Sequence, residues 1–297
     1  MQDSWTEHQG SRQPAEQDGY ATMASVVELT YYPIKGCAGT SVGEALLTPA
    51  GLAHDRTFLV TGEDGAGRTQ RRDPRLTLVR PTVSPDGGQL TLHALGFETL
   101  DLLVDTAAAR REVELFGAFH RGIDQGDTAA RWFTEVLGVP SRLVRVPPEH
   151  DRVTDGRIPG TSAYADSCAL HVVSRATLDL LNGKLAERGV PPLPMNRFRP
   201  NIVVDGWDEP HTEDRAHRIR IGDTELGYAK LAVRCAVTLV DQGTGAKAGP
   251  EPLRTLAGYR RARVGGVAYG TKYAVLRTGT LSVGDAVNVT SWGESEL

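Results

Sequence analysis

Apolar positions in the first third of the chain fall in short runs, SVVELTYYPIK, EALLTPAG, RTFLVTGEDGAGRTQ, LTLVRPTVSPDGGQLTL and ETLDLLVD, where branched and aromatic residues alternate with polar ones. The clusters GEDGAG and SPDGG supply glycine and aspartate where a hairpin reverses. From Ser25 onward the pattern predicts a mostly antiparallel sheet or barrel. In DTAARWFTEVLG, residues 127–138, the period lengthens: Trp132, Phe133, Val136 and Leu137 share a helical face, Asp127 can cap and Gly138 can terminate. A strand SRLVRV follows, and then PPEHDRVTDGRIPGTSA, residues 147–163, whose proline, glycine and charge mark a long loop or a domain junction.

The second half repeats the scheme. A strand CALHVV leads into a helix opened by Ser174, with Leu178, Leu181 and Leu185 at helical spacing. Strands return at FRPNIVV, HRIRIGDTEL, RCAVTLV and YAVLRTGTLSVGDAVNV, and no internal repeat is present. The expected class is mostly β with a few helices, α+β.

Composition narrows the function. A chain of 297 residues with 40% hydrophobic content can bury a sizeable core in one or two domains. The formal net charge of −4 argues against nucleic acid or an anionic membrane as partner, so any bound anion must meet a local basic pocket. Cys37, Cys168 and Cys235 lie far apart and form no CxxC, which suggests neither a disulfide framework nor a cysteine-rich zinc site and fits a reducing cytoplasm. Residues 1–23 contain no apolar core run; they read as a disordered tail rather than a secretory signal. No stretch approaches the roughly 20 apolar residues of a membrane span.

Two glycine-rich stretches imitate nucleotide loops. GEDGAG at 62–67 is followed by no helix, and GGVAYGTK at 265–272 lacks the GK[ST] order, so both are expected to be turns. The eight histidines form no HExxH-like pair, and His171 reads as a packed or hydrogen-bonded strand residue.

Cys235 is the residue with chemistry to explain. It follows Arg234 and heads a β-branched run, and a lone cysteine is most simply a small core hydrophobe. Its surroundings point elsewhere. YPIKGCAG at 32–39, HDRTFLV at 54–60, RRDPRL at 71–76, YADS at 164–167, RFRPNIVV at 197–204, IGDTEL at 221–226, RCAVTLVD at 234–241, PLRTLAGYR at 252–260 and GTLSVGDAV at 279–287 occur in the collinear order of a known group. From about Ser25 to Val289 the chain resembles the MOSC family, which includes the mitochondrial amidoxime-reducing component, its bacterial relatives and the C-terminal domain of molybdenum cofactor sulfurases.

The resemblance implies an N-terminal β-barrel-like domain, residues 24–147, packed against a β-barrel MOSC domain, residues 163–297, with 148–162 connecting them. It also implies a molybdenum cofactor, molybdopterin, with Cys235 as catalytic residue and molybdenum ligand; a thiolate is a soft donor suited to a sulfur-held metal. Lys35, Arg56 and Arg199 match positions that contact the cofactor and suit its phosphate. Asp166, Ser167 and Cys168 fall on the pterin-contacting stretch, and Asn201, Arg234 and Lys272 complete the expected set. Gly36, Val233 and Lys272 depart from the family pattern, as does Ala216 or His217 where a tryptophan is usual, which bears on substrate preference more than on cofactor binding. The implied activity is two-electron removal of oxygen from an N-hydroxylated small molecule. Electrons would come from a separate flavoprotein reductase, ferredoxin or haem protein, because three scattered cysteines cannot hold an iron–sulfur cluster, which takes about four. Two other roles share the sequence pattern: a carrier of the cofactor or of sulfur, and a specialised metabolic enzyme.

Overall fold

The computed structural model describes residues 23–297. The expected tail therefore lies, apart from Met23, outside the described residues. Its largest sheet has eight strands, in chain order β1 (Ser25–Tyr31), β2 (Thr40–Val42), β3 (Leu170–Ser174), β4 (Ile202–Asp205), β5 (Ala216–Ile221), β6 (Thr224–Arg234), β7 (Val267–Arg277) and β8 (Val287–Trp292). Their spatial order is β2-β1-β4-β3-β7-β6-β5-β8. Every neighbouring pair is antiparallel except β3 and β4, which run parallel because the helix α2 (Arg175–Ala186) lies between them in sequence.

The first strands are built into this late sheet. β1 pairs with β4 from Ser25↔Asp205 to Leu29↔Ile202, and Glu44–Thr48 pairs with Gly279–Ser282. A smaller four-stranded sheet, Phe58–Thr61, Arg142–Arg145, Ala118–Asp124 and Arg110–Leu115 in that spatial order, carries helix α1 (Gly126–Leu137). The class is mostly β with few helices, as expected, but the sheets are open rather than closed barrels.

Helix signals read from the sequence hold locally. Ser174 accepts a hydrogen bond from the Thr177 amide and so caps α2, and Gly138 ends α1 in the left-handed region at φ 70°. Gln125 rather than Asp127 is the N-cap of α1, and Asp127 sits in the first turn. Trp132, Phe133, Val136 and Leu137 are buried, packed with Phe58, Val60 and Leu76 into one core; Leu170, Val172, Ile202 and Tyr273 anchor another around the large sheet.

Two expectations are corrected. RCAVTLV is not a strand: β6 stops at Arg234, and Ala236–Leu239 form a single 3-10 turn. The Thr238 amide and hydroxyl both donate to the Cys235 carbonyl, at 3.1 and 3.0 Å, so a short polar side chain competes with the ladder and turns the chain. GGVAYGTK is a turn only at its first two glycines; from Val267 it is β7, because the apolar alternation outweighs the glycines.

Gly270 is the exception inside that strand. It sits at φ 72°, and a Cβ there would fall 2.6 Å from His171 Nε2 and 2.7 Å from the Val172 carbonyl. Gly270→Ala should lower the unfolding free energy obtained from urea melts by an amount on the order of 1–3 kcal/mol, with a lower midpoint. Gly183→Ala, inside α2 with nothing within 4 Å, should instead raise that free energy by about 0.5–1 kcal/mol, with a higher midpoint. Equal midpoints for the two variants would show that the β3–β7 contact does not need glycine.

Candidate functional site

A cavity of about 530 Å³ opens where the irregular segment 163–168, the C-terminal half of β6, the middle of β7 and the turns after β1 converge. Among the described residues, seven cationic side chains line it, Lys35, Arg56, Arg71, Arg199, Lys230, Arg234 and Lys272, against three carboxylates, Asp155, Asp166 and Glu296. An acidic chain thus presents a basic pocket.

The most ordered part of the wall is a stack. The Arg56 guanidinium lies 4.3 Å from the centroid of the Tyr32 ring and the Arg199 guanidinium 4.2 Å from the same centroid. Both arginines occupy the left-handed backbone region, at φ 50° and 55°. Non-glycine residues persist there only when surroundings over-determine them, a form of strain concentrated at functional sites. Here the determinants are visible. Arg56 pairs with buried Asp55 and donates to Asn201 Oδ1 at 2.9 Å; Tyr32 donates its hydroxyl to the Pro200 carbonyl at 3.0 Å. Arg199 donates to Gln242 Oε1 at 3.1 Å, and Gln242 and Gln70 bond each other at 3.1 Å, with Gln70 also donating to the Gly36 carbonyl at 2.6 Å. Burial pushes Arg199 down to about 10, so it remains a cation at neutral pH.

Lys35 is buried, pairs with Asp166 and lies 4.7 Å from the centroid of the Phe116 ring. Asp166 and Ser167 stand on a segment without regular structure that Arg152 fixes by donating to the carbonyls of Ala163 and Ala165 at 3.0 and 2.6 Å. Cys168 is buried beside it and donates to the Asp155 carbonyl at 3.4 Å.

Cys235 lies just past the end of β6 and is half-buried on the cavity wall, while Cys37 and Cys168 are buried. The turn at Ala236–Leu239 is what holds it at the wall rather than in a ladder. Burial pushes the Cys37 thiol up to about 12 and makes it inert, in keeping with a core residue. Arg234 donates to the Phe198 carbonyl at 2.9 Å, and its Nε is buried without a partner among the described residues.

Nine of the ten residues expected from the sequence therefore line one cavity. Asn201 does not. It is buried behind Arg56, where its amide nitrogen donates to the Thr30 carbonyl and to Asp55, each at 3.1 Å, and its oxygen accepts from Arg56 and from the His171 amide. Tyr32, Gln70, Phe116, Gln242 and Lys230 were not singled out in the sequence. Tyr32 stands beside Pro33 in the YPIKGCAG motif, but Lys230 is reached only through strand register.

Residues 23–140 match the MOSC N-terminal beta barrel domain and residues 159–288 the MOSC domain. The chain is 35% identical over 287 residues to mitochondrial amidoxime reducing component 2 of Rattus norvegicus, covering 89% of this chain and 83% of that one. It is 34% identical over 287 residues to mitochondrial amidoxime-reducing component 1 of Homo sapiens, at 89% and 82% coverage. Against molybdenum cofactor sulfurase of Danio rerio it is 29% identical over 262 residues, spanning 82% of this chain and 31% of that longer one. Among the described residues no helix is long and apolar enough to cross a membrane.

Lys272 generates a pH prediction. Burial, then Arg234 and Arg56, push its ammonium down to about 7. An unfolded lysine titrates near ~10.4, so between those values the unfolded chain holds the extra proton and stability rises with pH. The half-buried charge therefore weakens the unliganded fold most below about pH 7, and the deficit fades toward pH ~10. Lys272→Met should melt higher than the native chain in acid, with the gap closing as the pH of the thermal melts is raised. A gap constant across that range would assign the gain to packing alone.

Proposed function

The chain belongs to the MOSC family, alongside the mitochondrial amidoxime-reducing components, and from that premise we propose that it is a molybdenum cofactor-dependent oxidoreductase that removes oxygen from N-hydroxylated substrates. One observation carries the reading: a half-buried thiol, Cys235, opens on the same cavity as the buried cations Lys35 and Arg199 and the stacked Arg56. The donor set fits the cofactor. A phosphate needs fixed cations and directional donors, which Lys35, Arg56 and Arg199 provide, and a sulfur-held metal needs one further soft ligand. Arg234, with an unbonded buried Nε, has a donor to spare for the ring system, and Ser167 and Asp166 border the same space.

When bound, the cofactor supplies the two-electron redox couple, so that an N–OH group, two electrons and two protons give N–H and water. The chain's own share is to bind, orient and shield. Asp55, Asn201 and Tyr32 lock Arg56 in place; Asn201 is a positioning residue in this reading rather than a cofactor contact. Lys35 is held toward the cavity by Asp166 and by the Phe116 ring. Electrons come from a separate protein, since the three cysteines are dispersed. The carrier reading uses the same pocket and differs only in lacking turnover.

The test is to purify the protein from a host that makes molybdenum cofactor, measure metal and pterin content, and assay an amidoxime with an artificial reductant. Cys235→Ala should lose turnover while keeping pterin, because the phosphate contacts persist. Arg56→Ala or Arg199→Ala should lower cofactor content by about 10- to 100-fold in affinity, the value of a charge-assisted bond. Cys37→Ala is the control: it leaves a small core cavity and changes melting rather than turnover. Equal turnover in Cys235→Ala and Cys37→Ala would remove the metal-ligand role, and full metal occupancy without any turnover would favour the carrier.

A further inference from the structure

Three adjacent strands bring His171, Lys272 and Lys230 into one row on the cavity side of the large sheet, for His171 lies opposite Lys272 and Lys272 opposite Lys230. Strands lie about 4.8 Å apart, so the row extends roughly 10 Å. Lys230 is in it because of a β-bulge. Tyr228 pairs with Tyr273 and Lys230 with Lys272, so Ala229 is the extra residue, and it turns Lys230 away from the core face that Tyr228 occupies. The neighbouring loop secures the bulge: the Arg157 amide donates to the Ala229 carbonyl at 2.7 Å, and a Cβ on Gly156 would lie 2.9 Å from that carbonyl oxygen.

The members of the row differ in what they still need. Lys230 is neutralised by Asp155 at 2.6 Å. Lys272 makes no ion pair or hydrogen bond among the described residues although it is half-buried on the cavity wall, where Arg234 and Arg56 disfavour its charge and Asp166 offsets them only in part. A partly desolvated cation so placed has room for a further anion. His171 is 1% exposed, and its Nε2 bonds the Tyr269 carbonyl at 3.1 Å, which fixes the proton there and leaves Nδ1 as a bare acceptor. That Nδ1 is buried with no partner among the described residues. Burial, then Lys272 and Arg234, hold the ring far below the usual imidazole range, so it stays neutral.

We propose that Lys272 and His171 form a substrate subsite that selects N-hydroxylated compounds bearing a carboxylate, with Lys272 binding the carboxylate and His171 Nδ1 accepting a hydrogen bond from the N–H or O–H about one strand spacing away. The proposal rests on the oxidoreductase reading for its substrate but not for its binding chemistry. It also separates Lys272 from the cations that would hold the cofactor phosphate, each of which already has a fixed partner: Asp166 for Lys35, Asp55 for Arg56 and Gln242 for Arg199.

The test compares benzamidoxime with its meta-carboxylated analogue on metal-loaded protein, alongside calorimetric binding of N-acetylglycine, a redox-inert carboxylate with one N–H. The native chain should prefer the carboxylated amidoxime in kcat/KM by about 10-fold or more, the value of one charge-assisted contact. Lys272→Met should abolish the preference and the binding of N-acetylglycine, and Lys272→Arg should restore most of both. His171→Leu should weaken binding of N-acetylglycine while leaving the acid-to-neutral ratio above one. If Lys272→Met loses metal and pterin, the lysine belongs to the cofactor and the proposal falls. It falls equally if N-acetylglycine binds the native chain no better than Lys272→Met. Binding that is lost in Lys272→Met, in a native protein that turns over neither amidoxime, would keep the subsite and overturn the oxidoreductase reading instead.

Discussion

Two guanidinium groups gathered on one phenol ring are the constraint around which the cavity is organised. Left alone, Arg56 and Arg199 would repel each other and relax out of their left-handed backbone. The Tyr32 ring attracts both through its faces, Asp55 and Gln242 hold their outer ends, and Asn201 ties the arrangement to β1 and β3. Cation–π contacts are worth perceptibly more when desolvated, which is the condition here, since Tyr32 is 3% and Arg199 8% exposed. The cluster joins residues from near position 32, position 56 and position 199, so the basic character of the cavity and the union of the chain's two halves are the same set of contacts.

Charge in this protein is therefore a matter of place rather than of total. A net −4 gives no overall attraction to polyanions, yet the cavity gathers seven cations against three carboxylates among the described residues. Three of them are neutralised by a neighbour that also orients them, Lys35 by Asp166, Arg56 by Asp55 and Lys230 by Asp155. Those left with spare capacity, Lys272 and the Nε of Arg234, mark where a ligand has room to contribute.

Much of the site was legible in the sequence because the family's motifs are local and collinear: Lys35, Arg56, Asp166, Arg199 and Cys235 each sit inside a short recognisable word. The helices were legible because cap and period agree, as with Ser174 and the Leu181 and Leu185 face of α2. What escaped depends on pairing between distant segments. Lys230 faces the cavity only through a bulge, Gln70 and Gln242 meet across 172 positions, and Asn201 reads like a ligand until its amide is seen to be used by Asp55, Thr30 and Arg56. The turn at Cys235 escaped for the opposite reason: β-branched residues suggest a strand, and the Thr238 hydroxyl overrides them.

The place of β1 in the large sheet has a consequence for how the protein is made. Ser25–Tyr31 is synthesised early but finds its partner, Ile202–Asp205, only after most of the chain has been translated, and Glu44–Thr48 waits longer still for Gly279–Ser282. Contacts of such large sequence separation close late and slowly, because loop entropy is lost before the pairing is gained. The Tyr32 stack and the cavity wall cannot assemble on a nascent N-terminal half, so any ligand of this cavity meets a chain that has already been translated through β7.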